Sequence, residues 1–254
     1  MLKVRIIPTL LYKPPTLVKG IGFDSWRRVG SVMQAVKVYN LREVDELIFL
    51  DISATLEGRR PGFSLIDEIA DECFMPLTVG GGVTTIEDFR ELLKVGADKV
   101  CFNTSAVENK TLVAQAAEEF GSQCIVVSID VRRSQYGRYE VYTHSGNKPT
   151  GLDPIEFAEL VESLGAGEIL LTSIDFDGAM CGYDLPIIEK ISEAVSIPVI
   201  ASGGAGSYKH MLDVLTNTKA SAIAAASIFH FTEQTPCEAK KSLKSKGQIV
   251  RYNL

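Results

Sequence analysis

A chain of 254 residues with 46% hydrophobic content can bury one large core. Its net charge of −6 excludes a nucleic-acid stripe or an anionic membrane surface as its main partner, while leaving room for a local basic site that takes phosphate. Cys73, Cys101, Cys124, Cys181 and Cys237 are odd in number, widely spaced and without a CxxC pair, so neither a disulfide framework nor a zinc site is expected, and no metal or cofactor is inferred.

In chain order, Met1-Leu2-Lys3-Val4-Arg5 runs straight into a strand with no signal-peptide pattern, and no apolar run approaches the roughly 18 residues of a membrane span. A cytoplasmic protein that does not enter the membrane is therefore expected. Strands are predicted over Val4 to Leu10, Glu46 to Ile52, Pro76 to Val79 and Lys99 to Phe102, then over Cys124 to Asp130, Glu168 to Thr172, Pro198 to Ser202 and Ala222 to Ala225. Helical spacing of apolar residues fills the intervals, near Ser31 to Asn40, Ser64 to Glu72, Glu87 to Val95, Leu112 to Phe120, Pro154 to Leu164, Leu185 to Val195 and His210 to Thr216. Strands that are apolar throughout, rather than alternating, belong to a parallel sheet covered by helices.

Pro76 to Asn103 reads as strand, glycine turn, helix, strand, with Thr84 or Thr85 and the acids Glu87 and Asp88 marking a capped helix start. The same grammar returns about 120 residues later, an offset near half the chain, as Ile197 to Gly206 followed by a helix and Ala222 to Ala226. Eight strands, an internal repeat and a length near the usual 250 residues favour a closed (β/α)8 TIM barrel over an open doubly wound sheet. One domain spanning 1–254 is expected, with half-barrels of about 1–120 and 121–254.

Chemistry in such a barrel belongs at the C-terminal ends of the strands. Those ends carry Gly80-Gly81-Gly82 and Ser202-Gly203-Gly204-Ala205-Gly206, each placed before a helix start, where backbone N–H groups can approach an anion. Each cluster is followed one strand later by a small polar pair, Asn103-Thr104 or Ala226-Ser227. Two such cradles suit a small-molecule ligand with a phosphate at each end; the plainer reading is that the glycines only make tight turns. Asp130 ends an apolar strand, so its carboxylate is expected at the mouth, partly desolvated, where it can serve as acid or base. Asp51 and Asp177 hold similar positions, although strand-end carboxylates more often form turns. His144, His210 and His230 are unclustered and read as surface or packing residues.

With these residues in view, the chain resembles the cyclase subunit of imidazole glycerol phosphate synthase. The similarity runs over nearly the whole length, through Arg5-Ile6-Ile7-Pro8, Val18-Lys19-Gly20, Phe49-Leu50-Asp51-Ile52, Leu77 to Gly82, Gly121 to Cys124, Lys148 to Gly151, Asp177-Gly178, Gly182-Tyr183-Asp184, Ala201 to Gly206 and Ser227 to Phe231. The resemblance implies a barrel that receives ammonia from a glutaminase subunit docked on its N-terminal face and joins it to a bisphosphorylated substrate. It implies phosphate positions at Gly82, Asn103 and Thr104 and at Gly178, Gly204, Ala226 and Ser227, with Lys19 on a flexible first loop that closes over the ligand. It also implies an ammonia gate of Arg5, Glu46, Lys99 and Glu168, four charges that alternate in sign and lie near the starts of different strands.

The sequence departs from that family on the active face. The family pairs an aspartate at the first strand with the one at the fifth; here Asp130 is present, but Leu11 stands at the first position and Thr9 replaces a neighbouring cysteine. Leucine cannot transfer a proton, and acid–base contributions of roughly 10²–10⁴-fold are at stake. After the sixth strand the chain reads Asp175-Phe176-Asp177-Gly178-Ala179-Met180-Cys181, with apolar bulk where the family carries charge and hydroxyls. Pro14 and Pro15 are expected to stiffen the first loop. Similar paralogues with leucine at this position occur in surface-polysaccharide pathways, where a glutaminase and a third amidotransferase protein turn an acetamido group into an acetamidino group. The leading expectation is thus an ammonia-handling subunit for a surface sugar. The alternatives are the histidine-pathway cyclase, working with Asp130 and Asp177, and a non-catalytic scaffold for the glutaminase.

Overall fold

The computed structural model describes residues 3–42 and 44–251; Met1 and Leu2, which open the stretch read above for a leader, lie outside them. Eight parallel strands form the frame: β1 (Arg5–Lys13), β2 (Leu47–Asp51), β3 (Leu77–Gly80), β4 (Lys99–Phe102), β5 (Ile125–Arg133), β6 (Glu168–Ser173), β7 (Val199–Ser202) and β8 (Ala222–Ala225). Each pairs with the next in sequence, and β8 pairs with β1 through Arg5↔Ala222 to Pro8↔Ala225, so the sheet closes on itself. The fold is a (β/α)8 TIM barrel. Closure leaves the barrel strands no free edge, and it gives successive side chains two destinations.

Outward residues such as Ile6, Leu47, Val100, Val127 and Ile169 join a continuous apolar layer with the surrounding helices. Those helices are α1 (Val32–Leu41), α2 (Phe63–Glu72), α3 (Ile86–Lys94), α4 (Lys110–Phe120), α5 (Pro154–Ser163), α6 (Leu185–Ala194), α7 (Tyr208–Asn217) and α8 (Pro236–Ser245). Their starts follow local chemistry. Thr85 caps α3 in a reciprocal capping box with Asp88, Asp153 caps α5 ahead of Pro154, and Ser207 caps α7.

Inward residues form layers. Ile7, Ile48, Cys101, Val126, Leu170, Ile200, Ala222 and Ala224 make a separate apolar cluster on the barrel axis, all buried. Beneath it lie Arg5, Glu46, Thr78, Lys99 and Glu168; above it lie Thr9, Ser128, Asp130 and Thr172, which open into a cavity at the C-terminal ends.

Two elements differ from the expected loops. The segment after β1 is not a loose first loop. Thr16–Ile21 returns antiparallel to β1 and pairs in turn with Asp24–Gly30, so its residues are held by backbone ladders. Likewise β5 runs on to Arg133 and pairs with Tyr139–Thr143, which pairs with Lys148–Pro149. Both hairpins stand over the C-terminal end. No helix among the described residues is long and apolar enough to cross a membrane.

Candidate functional site

At the N-terminal end the four charged residues meet in a closed ring. Arg5 donates to Glu46 Oε2 at 2.7 Å and, from its other terminal nitrogen, to Glu168 Oε1. Lys99 Nζ donates to both oxygens of Glu46, at 2.9 and 3.1 Å, and to Glu168 Oε2 at 2.9 Å. Thr78 Oγ1 donates to Glu46 at 2.7 Å. Each cation thus bridges both carboxylates. Burial disfavours the Arg5 charge, but the bonds and field of Glu168 and Glu46 outweigh it and its pKa lies above the ordinary value. Directly above the ring the axis is apolar, and burial pushes the Cys101 thiol well up, so that it stays protonated.

At the C-terminal end a cavity of about 360 Å³ brings together both glycine clusters and the candidate acids. Its lining includes Lys19, Gly82, Asn103, Thr104, Asp130, Asp177, Gly178, Gly204, Ala226 and Ser227, all the positions expected there from the sequence. The repeat explains the arrangement: equivalent βα turns of a closed barrel must face one mouth.

Asp130 is buried, and among the described residues its side-chain hydrogen-bond partner is Ser128, whose hydroxyl donates to Oδ1 at 3.1 Å. Burial pushes its carboxyl up to about 7; the Ser128 bond opposes this and the nearby charge of Asp177 adds to it. An acid placed there can give or take a proton near neutral pH. Asp177 is also pushed up by burial, opposed by Lys19. The Lys19 ammonium, itself buried, donates to Asp177 Oδ2. The two residues lie 158 positions apart, and their pairing holds the first hairpin against the loop after β6; the Gly22 N–H adds a bond to the Asp177 carbonyl at 2.8 Å. In this structure Lys19 is therefore engaged by a carboxylate, where the resemblance places it on phosphate.

Leu11 lines the same cavity, buried, so the missing family acid leaves an apolar contact and not a gap. Thr9 Oγ1, also in the lining, is buried without a hydrogen-bond partner. Asp51 is a turn-former: its Oδ1 accepts from the Ser53 and Ala54 N–H groups at 3.0 Å each, and Arg59 pairs with it at 3.1 Å.

The two cradles are built differently. A Cβ on Gly82 would sit 2.4 Å from the Arg59 carbonyl, and one on Gly204 would sit 1.9 Å from the Gly182 carbonyl. Both glycines are thus required by chain packing as well as by any ligand. At the first cradle the amides of Thr84 and Thr85 already donate to Asp88, at 3.0 and 2.9 Å. The Asn103 side chain donates to the Ser128 and Tyr142 carbonyls, both at 3.1 Å, and Thr104 Oγ1 accepts from the His144 N–H at 3.0 Å. At the second cradle Ser227 Oγ is buried with no partner, and α7 has no acid in its first turn. That end keeps more of its donors for an anion.

The histidines stay apart. His210 Nδ1 accepts from the Gly206 N–H at 3.2 Å, and burial pushes the His230 imidazole down to about 4, so it is neutral at pH 7. Arg59, Arg60, Phe23 and Trp26 line the cavity but were not singled out from the sequence. The adjacent arginines of Gly58-Arg59-Arg60-Pro61, just past β2, were the available signal for the first two. The family model described as "Histidine biosynthesis protein" matches residues 5–235 of the chain.

Proposed function

Since the chain belongs to the histidine biosynthesis protein family, we propose that it is a synthase subunit that takes ammonia from a glutaminase partner and conducts it through the barrel to an acceptor at the C-terminal mouth. The observation that carries this reading is the stack along the axis. A closed ring of four charges guards the N-terminal end, an apolar layer follows, and a single protonatable acid without a basic partner, Asp130, waits above it. Neutral ammonia can cross an apolar layer that ammonium cannot, because an uncompensated charge there would cost several kcal/mol, on the order of the penalty for any buried ion. The partner docks on the N-terminal face, where Leu41 and Phe74 are strongly exposed large apolar residues.

The acceptor we favour is a phosphorylated or sugar-linked amide, converted to an amidine with the help of a third amidotransferase protein. Leu11 supports it: the acid–base pair that cyclisation needs is reduced to Asp130, while the charged ring at the opposite end is kept. The second reading is the histidine-pathway cyclase, favoured by the presence of Asp177 in the same cavity as Asp130. Cyclase turnover of the purified barrel with the bisphosphorylated histidine-pathway substrate and saturating ammonium salt separates the two. The amidine reading expects substrate bound but not turned over; turnover at the rate of a family enzyme contradicts it and selects the cyclase.

A further inference from the structure

The first hairpin has a feature that neither ammonia transfer nor phosphate binding uses. Trp26, the only tryptophan of the chain, and Phe23 both line the mouth cavity from above. The backbone is shaped around the indole. A Cβ on Gly20 would stand 2.0 Å from the Asp24 carbonyl and 3.0 Å from Trp26 Cε3, so glycine there is required by the close approach of the two strands and also leaves the indole room against that backbone. The hairpin is fastened at two places, on Asp177 by the Lys19 ammonium and the Gly22 N–H, and on Phe231 by the Arg27 guanidinium 4.8 Å from the ring centre. Fixed in this way, Trp26 is a rigid aromatic surface and not a loose cover.

The cavity it faces has two kinds of wall. Phe23, Trp26, Leu11 and Leu50 give an apolar side, while Ser128, Asp130, Thr172 and Ser202 supply hydroxyls and a carboxylate. A ring that is apolar on its C–H face and rich in hydroxyls at its edge matches both, and a cavity of about 360 Å³ holds one hexose-sized ring with its phosphate. An open-chain ligand would match the polar wall and the cradles but leave the indole uncovered.

We propose that Trp26 is a specificity-determining residue that stacks on the ring of a cyclic sugar phosphate bound in this mouth. The proposal rests on the reading that an acceptor enters the barrel from this end.

The test uses full-length protein and calorimetric titration with glucose 6-phosphate, sorbitol 6-phosphate, uridine 5′-phosphate and inorganic phosphate, with Trp26 fluorescence followed in parallel. The cyclic sugar phosphate should bind about tenfold more tightly than its open-chain counterpart, close to the 1.4 kcal/mol upper range of a good aromatic contact, and should change the Trp26 emission. Trp26→Leu should abolish that preference while phosphate still competes, and Trp26→Phe should keep most of it. Equal binding of ring and chain, no binding of either, or a preference that survives Trp26→Leu would overturn the proposal. Tighter binding of uridine 5′-phosphate would also overturn it, in favour of a nucleobase on the indole. Loss of the stacking preference leaves the ammonia reading untouched, because that reading is tested by glutaminase coupling at the opposite end of the barrel.

Discussion

The two ends of the barrel collect charge in opposite ways. At the N-terminal end two cations and two carboxylates answer one another, and every carboxylate oxygen has a donor. At the C-terminal end burial is as deep, but Asp130 has only a serine hydroxyl for a partner and Asp177 has one lysine. The first arrangement pairs every charge with an opposite one; the second leaves one acid able to change state near pH 7. A ring of fully paired charges suits gating, and an acid that can change its charge suits chemistry.

That contrast can be broken at either end. Glu46 accepts from Arg5, Lys99 and Thr78, so Glu46→Ala leaves two partly buried cations sharing Glu168 alone and should destabilise the fold by about 3 kcal/mol in urea unfolding, the low end for breaking a buried pair. At the mouth the sign reverses. The folded state raises the Asp130 pKa to about 7 from an ordinary value near 3.9, so its contribution is complete below about pH 4 and is lost as pH rises towards 7. Asp130→Asn should therefore match the parent at pH 4 and be more stable at pH 8, by on the order of 3–4 kcal/mol. Lys19→Met leaves the Asp177 carboxylate buried and unpaired, a loss of about 3 kcal/mol at pH 8 that should shrink on acidification as Asp177 takes up a proton. Thr85→Ala leaves the charged ring, Asp130 and the Lys19–Asp177 pair in place; losing one side of its capping box should cost about 1 kcal/mol, which calibrates the others.

Much of this was legible in the sequence, for a physical reason. Strand and helix starts are local: Leu77 to Gly80 and Ala222 to Ala225 are short apolar runs next to glycine or small residues, and each lies within a residue of its predicted place. The ring was expected from the family resemblance alone; its four members stand at strand starts, and the register of the barrel brings them together. What remained hidden depends on distant pairing. Nothing near Lys19 announces Asp177, and the Thr16–Gly30 hairpin, with its glycines and exposed charges just after Pro14 and Pro15, reads as a loop until β1 is long enough to pair with it. Asp51 and Asp130 look alike along the chain; only the Ser53, Ala54 and Arg59 donors make the first a turn residue.

The proposed ammonia path is tested most directly by reconstituting the barrel with the proposed glutaminase partner and measuring glutamine hydrolysed against ammonia delivered to product, for the parent and for Lys99→Met. The path proposed here predicts that opening the ring uncouples the two, with hydrolysis continuing while product falls and free ammonia appears in solution. Unchanged coupling in Lys99→Met would contradict conduction through the barrel.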